Sequence, residues 1–217
     1  MATNSSQSLL NESNAQKATA NDLFAKSSWK DAIETYDKAL STCPNYLDYE
    51  IAVLRSNVAA CHLKLEDWKE AVNAATASLD RLEKLQGKDG ENATNEEEPK
   101  AEEEADEEII SVGATKAEDV SKKGKREADI ERIRGKALMR RAKARSELGG
   151  WASLQGAEED YKILSQMKDL PAADKKVVQR QLVQLPARTK AAQEKEMGEM
   201  MGKLKQVSVS GRMTPQY

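Results

Sequence analysis

The feature that most constrains the fold is an amphipathic helix face that occurs twice, 39 residues apart. Its positions recur at spacings that lie on one side of an α-helix. In "DAIETYDKAL" they are Ala32, Ile33, Tyr36, Ala39 and Leu40, and in "EAVNAATASL" they are Ala71, Val72, Ala75, Ser78 and Leu79. Trp29 or Trp68 lies three residues before each face, after another helical stretch. The pattern therefore predicts two helix-turn-helix hairpins.

A third, looser copy follows later in the chain. Its first helix is "KALMRRAKARSEL" and its second is "GAEEDYKIL", with Ala157, Tyr161 and Leu164 on the repeated face. We expect the connecting "GGWASLQ" to form a turn about three residues longer than in the first two hairpins. Small residues occur where the helices must approach closely: Ala20, Ala59, Ala60 and Ala142. Since a single hairpin cannot bury its own face, we expect the three to stack into one core.

The sequence predicts six regions along the chain, which are the hairpins and the segments around them. Residues 91–108 carry ten acidic side chains, one lysine and no aromatic residue, so burial cannot offset the entropy of ordering them. The regions are a flexible N-terminus (1–12), hairpins one and two (13–85), a disordered acidic insert (86–116), hairpin three with its first helix extended backwards (117–171), two capping helices (172–206) and a flexible tail (207–217).

The two capping helices are separated by Pro186, which is favourable in the first turn of a helix. The second carries an apolar stripe of Met197, Met200, Met201 and Leu204. We expect this stripe to cover the last hairpin. The alternative is a flexible surface for a partner protein.

Composition argues against several classes of function. The net charge of −3 and the lack of aromatics within the basic stretch "KALMRRAKAR" argue against nucleic-acid binding. Cys43 and Cys61 form no CxxC pair, His62 belongs to no recognisable triad, and no phosphate-binding glycine loop occurs. No leader peptide or membrane-spanning stretch is apparent. We therefore expect a cytoplasmic protein that is not an enzyme, binds no cofactor or metal and does not insert into a membrane.

Two polar pairs lie on the first helices of hairpins one and three. Residues four apart share a helix face, so Lys17 lies with Asn21, and Lys136 lies with Arg140 rather than with Arg141. Arg141, Lys143 and Arg145 are expected to be solvated or paired. Asn57 belongs to the first helix of hairpin two.

The three hairpins resemble tetratricopeptide repeats. The resemblance is carried by paired helices with a small residue at their crossing, by a "W-x-x-A" or "Y-x-x-A" opening of the second helix, and by a closing Pro44 or Pro171. The resemblance implies an all-α, three-repeat solenoid with C-terminal capping helices, whose first helices line a concave groove. The five polar residues further resemble the carboxylate clamp of co-chaperone tetratricopeptide domains: Lys17, Asn21, Asn57, Lys136 and Arg140.

The clamp resemblance implies a ligand as well as a site. That ligand is the acidic Glu-Glu-Val-Asp C-terminal tail of cytosolic Hsp70 or Hsp90. Lysine and arginine neutralise its two terminal carboxylates, and asparagine supplies amide donors. A second, unidentified client protein is expected to meet the insert or the C-terminal helices. The alternative function is a general scaffold whose groove binds an internal helix of a signalling or ribosome-associated partner.

The chain is similar to the tetratricopeptide repeat protein 1 family in two respects. An acidic insert divides its repeats, and it contains the segments "LGGW", "AEEDYKIL" and "KEMGEMMGKLK". The chain departs from that family after "GKLK", where it reads "QVSVSGRMTPQY". A genuine isoform and a translated intron both remain open for this tail. The acidic run 97–108 is expected to be a solvated linker, and the alternative is that it competes for the basic groove.

Overall fold

The computed structural model describes the backbone of residues 2–88 and 119–210, and the side chains of residues 6–86 and 124–206. Over these ranges the chain is all-helical and contains no strand. The helices, numbered in chain order, are α1 (Ala2–Ala25), α2 (Trp29–Thr42), α3 (Asp48–Lys64), α4 (Trp68–Lys88), α5 (Asp119–Leu148), α6 (Trp151–Gln166) and α7 (Ala172–Ser210).

Each described helix packs against its neighbour in the chain wherever the two are joined by a described turn, and α5 packs on both α3 and α4. The repeated faces identified in the sequence are the buried faces of α2, α4 and α6. Their fully buried members include Ala32, Tyr36, Ala39, Ala71, Ala75, Ala157 and Leu164. The small residues Ala20, Ala59 and Ala142 are also fully buried. The period of the apolar residues thus predicted the buried faces correctly.

The core is built from connected clusters rather than from separate hairpins. One cluster unites α1 to α4 around Tyr36 and includes an edge-to-face contact between Phe24 and Trp29, with ring centroids 4.6 Å apart. A second joins α5, α6 and α7. In a third, Ile130 and Ile133 of α5 pack with Val53 of α3. The third cluster connects α5 to the body of the first four helices.

The turn between α5 and α6 is shorter than the sequence predicted. Gly149 and Gly150 have φ of 71° and 76°, a left-handed conformation that glycine adopts without strain. Helix α6 then begins at once at Trp151, so "WASLQ" is helical and the extra residues lengthen the helix instead of the loop. The physical reason is burial: Leu154 packs into the second cluster and is 4% exposed, which stabilises an additional helical turn.

The two predicted capping helices form one helix, α7, with Pro186 inside it. Proline removes one backbone hydrogen bond and normally breaks a helix at a cost of about 3 kcal/mol. Here the buried Val178 and Leu185 lie on the N-terminal side of the proline, and Ala192 beyond it packs against the same cluster. In addition, Arg188 donates to the carbonyl of Ser146 at 2.8 Å. Packing on both sides of Pro186 holds the helix continuous.

The expectation that the methionine stripe covers the last hairpin was wrong. Met197, Met200, Met201 and Leu204 are each 54–57% exposed. The backbone N–H of Trp151, the first residue of α6, donates to Glu196 Oε1 at 2.7 Å. Helix α7 therefore passes the end of α6 near Glu196, and its later residues extend beyond the helix that they were expected to cover.

The two ends of the described ranges also bear on the predicted regions. Helix α1 begins at Ala2, so it includes most of the segment for which a flexible N-terminus (1–12) was predicted, and Leu10 is buried. Helix α7 reaches Ser210, four residues into the predicted flexible tail. The predicted acidic insert lies outside the described residues except for positions 86–88, which end α4. None of the described helices has a stretch long and apolar enough to cross a membrane.

Candidate functional site

A buried tyrosine connects three of the five predicted site residues. The Tyr36 hydroxyl of α2 donates to Asn21 Oδ1 of α1 at 2.6 Å. Burial raises the pKa of Tyr36 well above its ordinary value, and the Cys61 thiol raises it further. The charge of Arg140 and a hydrogen-bond interaction with the Asn57 amide oppose this rise in the pKa. Arg140 also contacts Ser56, the neighbour of Asn57 in α3. The structure thus brings α1, α2, α3 and α5 together at Tyr36.

Asn57 of α3 is as fully buried as Tyr36. It is fully buried, and neither Nδ2 nor Oδ1 makes a geometrically acceptable hydrogen bond with the part of the protein that the structure describes. A buried polar group without a partner costs about 1–3 kcal/mol. Most buried side-chain amides in proteins are satisfied, so a ligand or water partner is the usual explanation for such a group. The nearest candidate partner of Asn57 is the Tyr36 hydroxyl, and a bound molecule can reach the Asn57 amide only if a local rearrangement exposes it.

Arg140 of α5 crosses to α3 beside this asparagine. Its Nη1 donates to the Ser56 carbonyl at 2.7 Å and to Ser56 Oγ at 2.6 Å. One guanidinium nitrogen is thereby fixed against the backbone of α3. Arginine has five N–H donors in a planar fork, which suits it to carboxylate recognition. The contact with Ser56 orients this fork in the same region as Asn57.

Lys136 lies one helical turn before Arg140. Burial, then the like charges of Arg140 and Arg132, lower its pKa to about 8, while Asp174 of α7 acts in the opposite direction. The Asp174 carboxyl has a raised pKa because of burial, which the charge of Lys136 partly opposes. The charges of Arg140 and Arg132 thus repel that of Lys136. An anion bound here would relieve their mutual repulsion.

Lys17, the fifth predicted residue, is engaged by an acidic side chain that the sequence reasoning missed. Lys17 Nζ lies 2.9 Å from Glu50 Oε2 of α3, and the two side chains are only 10% and 12% exposed. Lys17 is one turn from Asn21, as predicted, but its charge is already neutralised. The available signal was that Glu50 lies seven residues before Asn57, which places both on one face of α3.

The structure therefore joins the predicted residues in two groups. Asn21, Asn57 and Arg140 lie around Tyr36, and Lys136 extends this group along α5. Lys17 lies beside it in an ion pair with Glu50. Tyr36 was predicted only as a core residue, although its hydroxyl positions Asn21. A site with cationic donors and a buried amide can hold an anionic group.

Two other basic residues of α5, Arg141 and Arg145, face a different partner. Arg141 binds Asp160 of α6 through two hydrogen bonds of 2.7 and 3.0 Å, and Arg145 binds the same carboxylate at 2.9 Å. Asp160 is almost fully buried. The prediction that Arg141 lies off the axis of Lys136 and Arg140 is confirmed, since it points to α6 while Arg140 points to α3.

The cysteines contribute no reactive group to this region. Burial raises the pKa of Cys61 to about 12 and that of Cys43 to about 11, so both are protonated thiols near neutral pH. In the described ranges, no group of three or more histidine, cysteine or acidic side chains is arranged to hold a metal ion.

Comparison with known proteins adds no relative to this picture. Neither a protein-family model nor a curated protein matches the chain.

Proposed function

We propose that this chain is a tetratricopeptide-type chaperone adaptor whose carboxylate clamp binds an acidic protein C-terminus. The ligand proposed is the Glu-Glu-Val-Asp tail of cytosolic Hsp70 or Hsp90, which would place the protein in the cytoplasm. In this proposal the pairs α1 and α2, α3 and α4, and α5 and α6 are three repeats, and α7 is the C-terminal cap. Membership of the tetratricopeptide repeat protein 1 family is part of the proposal and is supported by the similarity of "LGGW", "AEEDYKIL" and "KEMGEMMGKLK".

One observation carries the proposal: polar side chains from three different helices meet at Tyr36 although they are far apart in sequence. Asn21, Asn57 and Arg140 come from α1, α3 and α5. A chance arrangement of solvated surface residues does not require a fully buried, unsatisfied asparagine amide among them. The arrangement suits a ligand that brings oxygen acceptors to this position.

The chemistry of a chain end fits these groups. A terminal aspartate carries two neighbouring carboxylates, and Lys136 and Arg140 supply two positive charges one helical turn apart. The Asn57 amide can donate without adding charge. Hydrogen bonds to charged groups contribute about 1.5–3 kcal/mol each, and a micromolar dissociation constant needs about 8 kcal/mol. A few such bonds suffice for micromolar binding after association costs.

The test is calorimetric titration of the full chain with peptides that carry the two chaperone tails. We expect micromolar binding to the natural chain and at least about a hundredfold loss in the variant Lys136→Ala with Arg140→Ala, since two charge-assisted contacts are removed. The matched control is Lys30→Ala, whose exposed side chain lies on α2, a helix that carries none of the five predicted clamp residues. It should leave the affinity unchanged.

A folding defect must be separated from a binding defect, because Arg140 also connects α5 to α3. The helical content and urea midpoint of both variants are therefore measured alongside. Loss of binding in a folded double variant supports the proposal. Equal affinity in the natural chain and the folded double variant overturns it.

A further inference from the structure

The segment of α7 beyond Glu196 presents an apolar stripe on an otherwise polar helix. Met197, Met200, Met201 and Leu204 are more than half exposed. At 100° per residue they lie within an arc of about 100°. Lys190 and Val183 lie earlier on the same side of α7, and both are exposed, Val183 to 81%. Beyond Glu196 this side of α7 is therefore uncovered and leaves room for another helix.

The charges that flank the stripe change sign along the helix. On one flank Glu194 is followed by Lys205, and each lies about 70–90° from the centre of the stripe. On the other flank Glu196 is followed by Lys203, at about 90–110°. Both flanks are thus acidic at the end nearer α6 and basic at the far end. A parallel copy would place like charges together, whereas an antiparallel copy would place opposite charges together.

We propose that this segment of α7 binds the same segment of a second copy of the chain in antiparallel orientation. One register satisfies both flanks: Glu194 faces Lys205 of the second copy, and Glu196 faces Lys203. Glu196 Oε1 already accepts the Trp151 N–H, so its second carboxylate oxygen is the one directed to Lys203. To within one residue, the same register places Met197 opposite Met201 and Met200 opposite its own counterpart. Charge pairing and apolar burial therefore select the same alignment.

The stripe is only about two helical turns long, so the interface falls below the roughly 800 Å² per partner of a stable complex. The dimer is therefore weak, and it forms reversibly as concentration rises. Methionine suits such a contact because its flexible thioether adapts to a partner surface. Each exposed charge pair adds little alone, but twofold symmetry makes each pair count twice.

The test is sedimentation equilibrium of the full chain from about 10 µM to about 1 mM, a range that covers weak association. We expect a monomer–dimer equilibrium in the natural chain. Met200→Glu should leave only monomer. Glu194→Lys alone and Lys205→Glu alone should each weaken the dimer about fivefold, because each sets like charges opposite one another twice. The double change Glu194→Lys with Lys205→Glu should restore the natural affinity.

Rescue by the double change would be specific evidence for the pairing of Glu194 with Lys205. The double variant keeps the overall charge of the natural chain and exchanges the two charges of the pair. Circular dichroism of each variant shows whether the helix is retained; these residues are exposed, so folding should be unaffected. A natural chain that stays monomeric to about 1 mM overturns the proposal. Dimerisation that both single charge changes leave untouched overturns the antiparallel register.

Discussion

Removal of the Asp160 carboxylate should destabilise the protein more than any surface charge change. Asp160 accepts from Arg141 at 2.7 and 3.0 Å and from Arg145 at 2.9 Å, and its side chain is 2% exposed. Asp160→Ala leaves two arginines, 16% and 24% exposed, without their shared counterion. Breaking a buried ion pair costs about 3–5 kcal/mol. Because the arginines retain some solvent contact, we expect about 3 kcal/mol, or a Tm lower by about 6–12 °C.

The assay is urea denaturation at neutral pH, followed by far-ultraviolet circular dichroism. The matched control is Glu158→Ala on the same helix, which breaks a 2.7 Å pair with Lys162, a side chain that is 59% exposed. That change should cost less than about 0.5 kcal/mol. If the two variants lost similar amounts, each below about 1 kcal/mol, then Asp160 would not hold α5 against α6 in the way described.

Two further predictions concern the clamp. Neutralising Glu50 releases Lys17 from its 2.9 Å ion pair, so the variant Glu50→Gln should bind an acidic peptide about tenfold more tightly in calorimetry. The control variant Glu34→Gln, which changes an exposed residue, should bind as the natural chain does. Equal or weaker binding by Glu50→Gln would show that Glu50 instead orients Lys17. Because the pKa of Lys136 is lowered to about 8, its charge is present below that pH and lost above it, so affinity should fall as pH rises through 8. A bound carboxylate raises this pKa again, and titrations in buffers of different ionisation enthalpy should show uptake of about half a proton at pH 8 and almost none at pH 6.

The sequence predicted the helices and their buried faces because these depend on local periodicity. Ala32, Tyr36 and Ala39 are buried because they share one side of a 3.6-residue helix, whatever else packs there. The shared face of Lys136 and Arg140 follows from the same geometry. These features required no knowledge of how the helices are arranged.

The features that the sequence did not predict depend on contacts between distant segments. Glu50 reaches Lys17 across 33 positions. Its spacing from Asn57 places Glu50 on the same face of α3, but that pattern does not identify Lys17 as its partner. The continuity of α7 through Pro186 depends on packing against the cluster of α5 and α6. The exposed methionine stripe follows from where α6 begins relative to α7, which is set by the tertiary structure.

The most direct test of the central claim is whether binding requires a free C-terminal carboxylate. Calorimetric titration compares an acidic chaperone-tail peptide with the same peptide amidated at its C-terminus. The clamp account predicts micromolar binding of the free acid and loss of at least about tenfold in affinity on amidation, since one charged acceptor near Lys136 and Arg140 is removed. Equal affinity for the two peptides would contradict the clamp and favour a groove that reads an internal segment of its partner.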